Sequence, residues 1–161
     1  MQEKQAIVKP LVQDLEVPVS GGVIALQVHM PERVRGPALI CVHGWTLDRT
    51  SFLPQLALVD RGIPVVLYDR RGFGDNPLPP DLSREADDLE AILQALAMPA
   101  VIFGVSQGAR LALRYAASER LNAAGIVIQG GHLDGVALDD LPGEVSRIRY
   151  LDLIKQRSGA F

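Results

Sequence analysis

The chain has 161 residues, 48% of them hydrophobic, and a formal net charge of -3 at neutral pH. This length and apolar content suit a single domain with a substantial buried core. Nucleic acid and anionic membrane surfaces attract basic proteins, so the slightly acidic balance argues against either as the main partner.

Targeting and redox signals are few. The segment after Met1 lacks the apolar stretch of a signal peptide, and no apolar run approaches the length that spans a membrane. The single cysteine, Cys41, falls in an apolar stretch, which excludes a disulfide framework and a cysteine-based zinc site. We expect a cytoplasmic protein without a metal or other cofactor.

The first third of the chain is rich in strand patterns. Leu11–Val19 and Val23–Met30 are predicted strands, and Ser20–Gly21–Gly22 between them is a hairpin turn signal. A third buried strand is predicted over Pro37–Val42, and a fourth over Ile63–Tyr68.

Between the third and fourth strands the apolar spacing predicts a helix that carries Phe52, Leu53, Leu56, Leu58 and Val59. Asp48 or Thr50 is expected to cap its first turn, and Gly62 is expected to end it.

A second helix is predicted to begin near Asp81. Its core-facing stripe has the three- and four-residue spacing of a helix face and comprises Leu82, Ala86, Leu89, Leu93 and Leu96. We interpret the acidic residues of this helix as a solvated face rather than a metal site, because no histidine lies nearby. They are Glu85, Asp87, Asp88 and Glu90.

The most informative stretch is Pro99–Arg110. A buried strand breaks at Gly104–Val105–Ser106–Gln107–Gly108, and a helical pattern follows at once. Strand, tight Gly-x-Ser-x-Gly turn and helix together predict an exposed, nucleophilic Ser106 at the N-terminus of a helix.

A sixth strand is predicted over Ala123–Gln129, and a terminal amphipathic helix lies within 136–161. Strands that alternate with helices at this spacing imply an α/β fold with a mostly parallel sheet of about six strands and helices on both faces. In such sheets the active-site groups lie at the carboxyl ends of the strands. We therefore divide the chain into a core, 1–135, and a terminal segment, 136–161.

Three motifs in order resemble the α/β-hydrolase superfamily. Ser106 and its neighbours resemble the nucleophile elbow, and His43–Gly44–Trp45 resembles the oxyanion loop after the third strand. Asp69–Arg70–Arg71–Gly72–Phe73–Gly74 resembles the loop after the fourth strand. Relatives of this fold often open a helical lid after the sixth strand, and 136–161 resembles the start of such a lid or a C-terminal helix.

The resemblance implies a serine hydrolase that acts on an ester or similar acyl bond of a small molecule. The backbone N–H groups of Trp45 and Gln107 would then bind the oxyanion, so this role constrains the side chains of both residues less than their backbones. His43 would order the oxyanion loop and not act as the base, while Asp69 and Arg71 would hold the loop beside the site. Hydrolases of carbon–carbon bonds and cofactor-free haloperoxidases use the same parts, so these activities stay open.

The acid and histidine of the family triad follow the serine after two further strands, and the sequence lacks that region. His132 is the only histidine after Ser106. It is a candidate substitute base, with Asp134 to orient it, but an ordinary loop position is the favoured interpretation, because a pair two residues apart is not the family's arrangement. A truncated gene and a natural short form both fit, and so does an inactive binding or assembly module. Without a seventh strand the sixth would be an apolar edge, through which the chain is expected to form homo-oligomers.

Overall fold

A computed structural model describes residues 11–118 and 122–131. Six strands form one sheet: β1 Leu11–Val19, β2 Gly22–Met30, β3 Ala38–Val42, β4 Val65–Tyr68, β5 Ala100–Val105 and β6 Gly125–Gln129. Their order in the sheet is β1-β2-β4-β3-β5-β6. β2 pairs antiparallel with β1 and with β4, whereas β4, β3, β5 and β6 run parallel to one another. The predicted mostly parallel α/β sheet is confirmed.

Helices cover both faces of this sheet. A 3₁₀ helix, Arg49–Arg61, follows β3, and the α-helices are α1, Glu85–Leu96, and α2, Gln107–Ala116. Successive strand residues point to opposite faces, so Ile40 and Val42 belong to the core cluster that contains residues of α1 and α2. Cys41 between them belongs to the second cluster, with Phe52 of the 3₁₀ helix. The two clusters pack against opposite faces of the sheet and so position the ends of β3, β4 and β5.

The helix after β3 differs in type from the usual α-helix. It keeps 3₁₀ geometry over all 13 residues and contains Pro54, which has no N–H to donate. Its predicted ends are correct, because the Asp48 side chain accepts from the Thr50 N–H and Gly62 adopts φ +86° at the C-cap.

Helix α1 corrects two sequence predictions. It begins at Glu85 rather than near Asp81, because the Asp81 carboxylate accepts from the Ser83 N–H and closes a turn before the helix. Three of the four acidic residues interpreted as a solvated face are buried, and they are Glu85, Asp88 and Glu90. Each accepts hydrogen bonds there: from Arg70, from Arg71 and from the amide of Asn122.

Strand β6 lies at one edge of the described sheet, and Val127 and Ile128 are 50% and 43% exposed. The predicted terminal segment 136–161 lies outside the described residues, as do His132 and Asp134. No helix of the described part is long and apolar enough to cross a membrane.

Candidate active site

Ser106 occupies a sharp turn between β5 and α2. Its backbone has φ +54° and ψ -114°, a conformation that L-residues rarely adopt and that costs on the order of 1–3 kcal/mol. The residue is exposed, and its N–H donates to the Gln129 carbonyl of β6 at 2.8 Å. The strain is therefore offset by the surrounding strands, and the hydroxyl stands at the carboxyl edge of the sheet.

The glycines of the turn are required by close packing. A Cβ on Gly108 would lie 2.1 Å from the Val42 carbonyl oxygen, and one on Gly104 would lie 2.5 Å from the Gly108 oxygen. Real Cβ atoms do not approach backbone atoms so closely, so α2 can start against the end of β3 only with glycine at these positions.

The His43–Gly44–Trp45 loop lies directly beside Ser106. A Cβ on Gly44 would be 3.3 Å from the Ser106 Cβ, and the ring of Trp45 packs edge-on against Phe73 at 5.5 Å. The side chains of Trp45 and Leu47 are 59% and 43% exposed. The loop thus brings a backbone segment and two exposed apolar side chains to the serine.

Both ring nitrogens of His43 are engaged. Nε2 accepts from the Arg70 backbone N–H at 3.0 Å, so the proton of the neutral ring is on Nδ1, which donates to the Gly44 carbonyl at 2.9 Å. The side chain is fully buried, and this desolvation lowers its pKa below the usual 6.5. A neutral ring with no free nitrogen cannot accept the serine proton, which agrees with an ordering role.

Arg70 is the residue that the sequence analysis did not single out. Its guanidinium donates to Glu85 from Nε at 3.1 Å and from Nη2 at 2.8 and 2.9 Å, and Nη1 donates to the His43 carbonyl at 2.9 Å. Nη2 also lies 2.8 Å from the side-chain oxygen of Gln107. The side chain of Gln107 is therefore anchored by Arg70, a contact separate from the oxyanion role that the sequence analysis assigned to the Gln107 backbone.

The neighbouring charges hold the loop after β4. Asp69 is buried and accepts from the backbone N–H groups of Arg49 and Asp75. Arg71 pairs with Asp88 at 2.7 Å and donates to the Ser20 carbonyl. These contacts support the structural roles expected for Asp69 and Arg71.

The described residues contain two histidines, His29 and His43. His29 pairs in register with Val65, at the amino end of β4 and so at the opposite edge of the sheet from Ser106. Neither histidine of the described residues is placed to deprotonate the serine. Within residues 11–118 and 122–131 no three His, Cys, Asp or Glu side chains gather as a metal site.

Comparison with known proteins places this arrangement in a family. The family model described as the alpha/beta hydrolase family matches residues 39–160, which includes all three motifs. The chain belongs to the alpha/beta hydrolase family. The resemblance seen in the motifs is confirmed.

Among individual relatives, the biotin biosynthesis bifunctional protein BioHC of Cellvibrio japonicus is 36% identical over 106 residues, which are 66% of this chain and 21% of that protein. A thermophilic esterase from Thermogutta terrifontis has a TM-score of 0.61 and 27% identity, with 74% of this chain and 46% of that one covered. An alpha/beta hydrolase from Sphaerobacter thermophilus has a TM-score of 0.55 and 33% identity, with 71% and 44% covered. The chain thus spans less than half the length of each of these relatives.

Proposed function

We propose that this hydrolase-family chain carries the nucleophile and the oxyanion donors of a serine hydrolase for esters or similar acyl bonds of small molecules. One observation carries the proposal: Ser106 is exposed at φ +54° on a strand-to-helix turn, with the Gly44 backbone against its Cβ. Residues with such strained backbone conformations cluster at active sites and ligand-binding sites.

In the proposed reaction, Ser106 Oγ attacks the acyl carbonyl carbon and its proton passes to a base. The backbone N–H groups of Trp45 and Gln107 receive the oxyanion, the alcohol leaves, and water then releases the acid. The exposed Trp45 and Leu47 side chains offer an apolar surface to the acyl group. That a relative is described as an esterase supports this choice of bond.

The proposed reaction needs a base that takes the proton from Ser106. His132 is retained as a candidate because no other histidine follows Ser106 in the sequence. The absence of a suitably placed histidine among the described residues also favours a second candidate function, a binding or assembly module that keeps the pocket without turnover.

A stoichiometric probe tests the nucleophile independently of turnover. An alkyl fluorophosphonate transfers its phosphonyl group to a serine oxygen with loss of fluoride, and intact-mass spectrometry follows the adduct over hours. We expect one adduct on the wild-type chain and none on Ser106→Ala. Equal labelling of both chains would refute Ser106 as the nucleophile.

Turnover of an activated aryl ester tests whether His132 is the base. Loss of the base in a serine triad costs on the order of a million-fold in kcat. We expect the wild-type chain to hydrolyse the ester barely above background, with no change in His132→Ala. Brisk hydrolysis that both Ser106→Ala and His132→Ala abolish would establish His132 as the base.

A further inference from the structure

We propose that Arg70 is a positioning residue that holds the two oxyanion donors of the site in register. The inference rests on the proposed function, because it concerns the N–H groups of Trp45 and Gln107. Arg70 joins the two segments that carry these groups, and its side chain is fully buried.

The first link runs to Trp45 through His43. His43 Nδ1–H donates to the Gly44 carbonyl, and that carbonyl shares a planar trans peptide with the Trp45 N–H. The two groups point in opposite directions, so fixing the oxygen also aims the N–H. Arg70 holds His43 at two points, because its backbone N–H binds Nε2 and its guanidinium binds the His43 carbonyl oxygen.

The second link runs to Gln107, the first residue of α2. Its side-chain oxygen accepts from Arg70 Nη2 at 2.8 Å, while its own backbone N–H is the other proposed donor. The start of α2 is therefore tied to the same guanidinium as the loop after β3.

The guanidinium itself is held firmly. It binds both carboxylate oxygens of Glu85, and its central carbon lies 4.8 Å from the centre of the Phe73 ring. A planar guanidinium with five donors can serve three partners in one plane, whereas a lysine ammonium cannot reproduce this geometry.

Arg71 provides a matched control. It is also buried and also pairs with a buried carboxylate of α1, Asp88, but it donates to the Ser20 carbonyl in the turn between β1 and β2 rather than to His43 or Gln107. If Arg70 only anchors the loop to α1, removing either pair should have the same effect on the site.

The experiment compares two double variants, Arg70→Met with Glu85→Met and Arg71→Met with Asp88→Leu. Each removes a whole ion pair, so no unpaired charge stays buried. The rate of fluorophosphonate labelling at Ser106 is measured and corrected for the folded fraction seen by circular dichroism. Since loss of one oxyanion donor costs roughly 10²–10³ in rate, we expect the Arg70 pair variant to react at least about tenfold more slowly and the Arg71 pair variant within about threefold of wild type.

A second readout reports position rather than reactivity. The backbone amide resonances of Trp45 and Gln107 should both shift in the Arg70 pair variant and stay in place in the Arg71 pair variant. If the Arg70 pair variant does not fold, Gln107→Met keeps the Arg70–Glu85 pair and cuts only one link, and it should slow labelling severalfold.

The outcomes separate the two proposals. Equal labelling rates and unmoved amides in the Arg70 and Arg71 pair variants, or an unchanged labelling rate in Gln107→Met where that variant is used, would overturn the positioning role and leave Ser106 as the nucleophile. A wild-type chain that labels no faster than Ser106→Ala would overturn the proposed function itself, and the role of Arg70 with it.

Discussion

Gly108→Ala should destabilise the fold although alanine is the better helix former. The exchange normally gains about 1 kcal/mol inside a helix. Here the new Cβ would lie 2.1 Å from the Val42 oxygen and 2.7 Å from the His43 oxygen. Both contacts are with backbone, so neither can yield by a rotamer change, and α2 must move away from β3.

Overpacking of this kind costs about 1–3 kcal/mol, and more where backbone must shift. We therefore expect a net loss of about 2 kcal/mol in the free energy of unfolding, which for a chain of this size lowers Tm by roughly 4–8 °C. Urea unfolding followed by circular dichroism measures it. Because α2 carries Gln107, labelling of Ser106 should slow as well.

The control is Gly125→Ala in β6. A Cβ there would meet only a Val101 methyl group at an ordinary 3.7 Å. We expect this variant to be as stable as wild type or slightly more stable. A Gly108→Ala chain that unfolds at the same urea concentration as Gly125→Ala, or at a higher one, would refute the packing argument for the turn.

Three further predictions follow from the described residues. Burial lowers the pKa of His43, so the unfolded chain binds more protons as pH falls through 6.5, and the free energy of unfolding should decrease on acidification. His43→Gln should therefore flatten the pH profile of urea unfolding between about pH 5 and 7. Burial also lowers the pKa of His29, and His29→Gln measures the separate contribution of that residue. Desolvation raises the pKa of Cys41 to about 12, so its thiol should react with iodoacetamide only as fast as the chain unfolds, and rapid alkylation of the native protein would contradict its burial. The exposed apolar edge of β6 should pair with a second chain, so light scattering should show dimers or larger species that Ile128→Lys dissociates, whereas a wild-type monomer at high concentration would count against pairing.

The sheet could be predicted from the sequence because its signals are local. Each of β3, β4 and β5 is a short apolar run that ends in a motif, and parallel pairing then brings the three motifs to one edge. The ends of the 3₁₀ helix were equally readable from Asp48 and Gly62. Its 3₁₀ geometry was not, since the same apolar spacing suits an α-helix.

Helix α1 was predicted one turn too early, and the reason is physical. Leu82 began the predicted stripe, yet it is 47% exposed. The true stripe starts with two acids, because Glu85 and Asp88 share a helix face with Leu89 and Ile92. The charge of Glu85 and Asp88 suggested that they face solvent, whereas their spacing puts them on the buried face of the helix.

Arg70 could not be found by the same means. Two consecutive arginines precede two acids three residues apart, which hints at two buried pairs. Which arginine also reaches His43 and Gln107 depends on distances between segments far apart in sequence. Such a long-range network leaves no periodic trace, and only the folded chain brings its members together.

The bond from the Ser106 N–H to the Gln129 carbonyl has a consequence for the order of chain synthesis. Residues leave the ribosome from the N-terminus onward, so β5 and α2 emerge before the strand that completes the turn between them. Until Gln129 arrives, nothing from β6 offsets the strain at Ser106, and a nascent chain that ends before it should leave the serine in a relaxed backbone conformation. Ser106 should therefore reach its strained conformation only after β6, the last described strand, has been synthesised and has paired with β5.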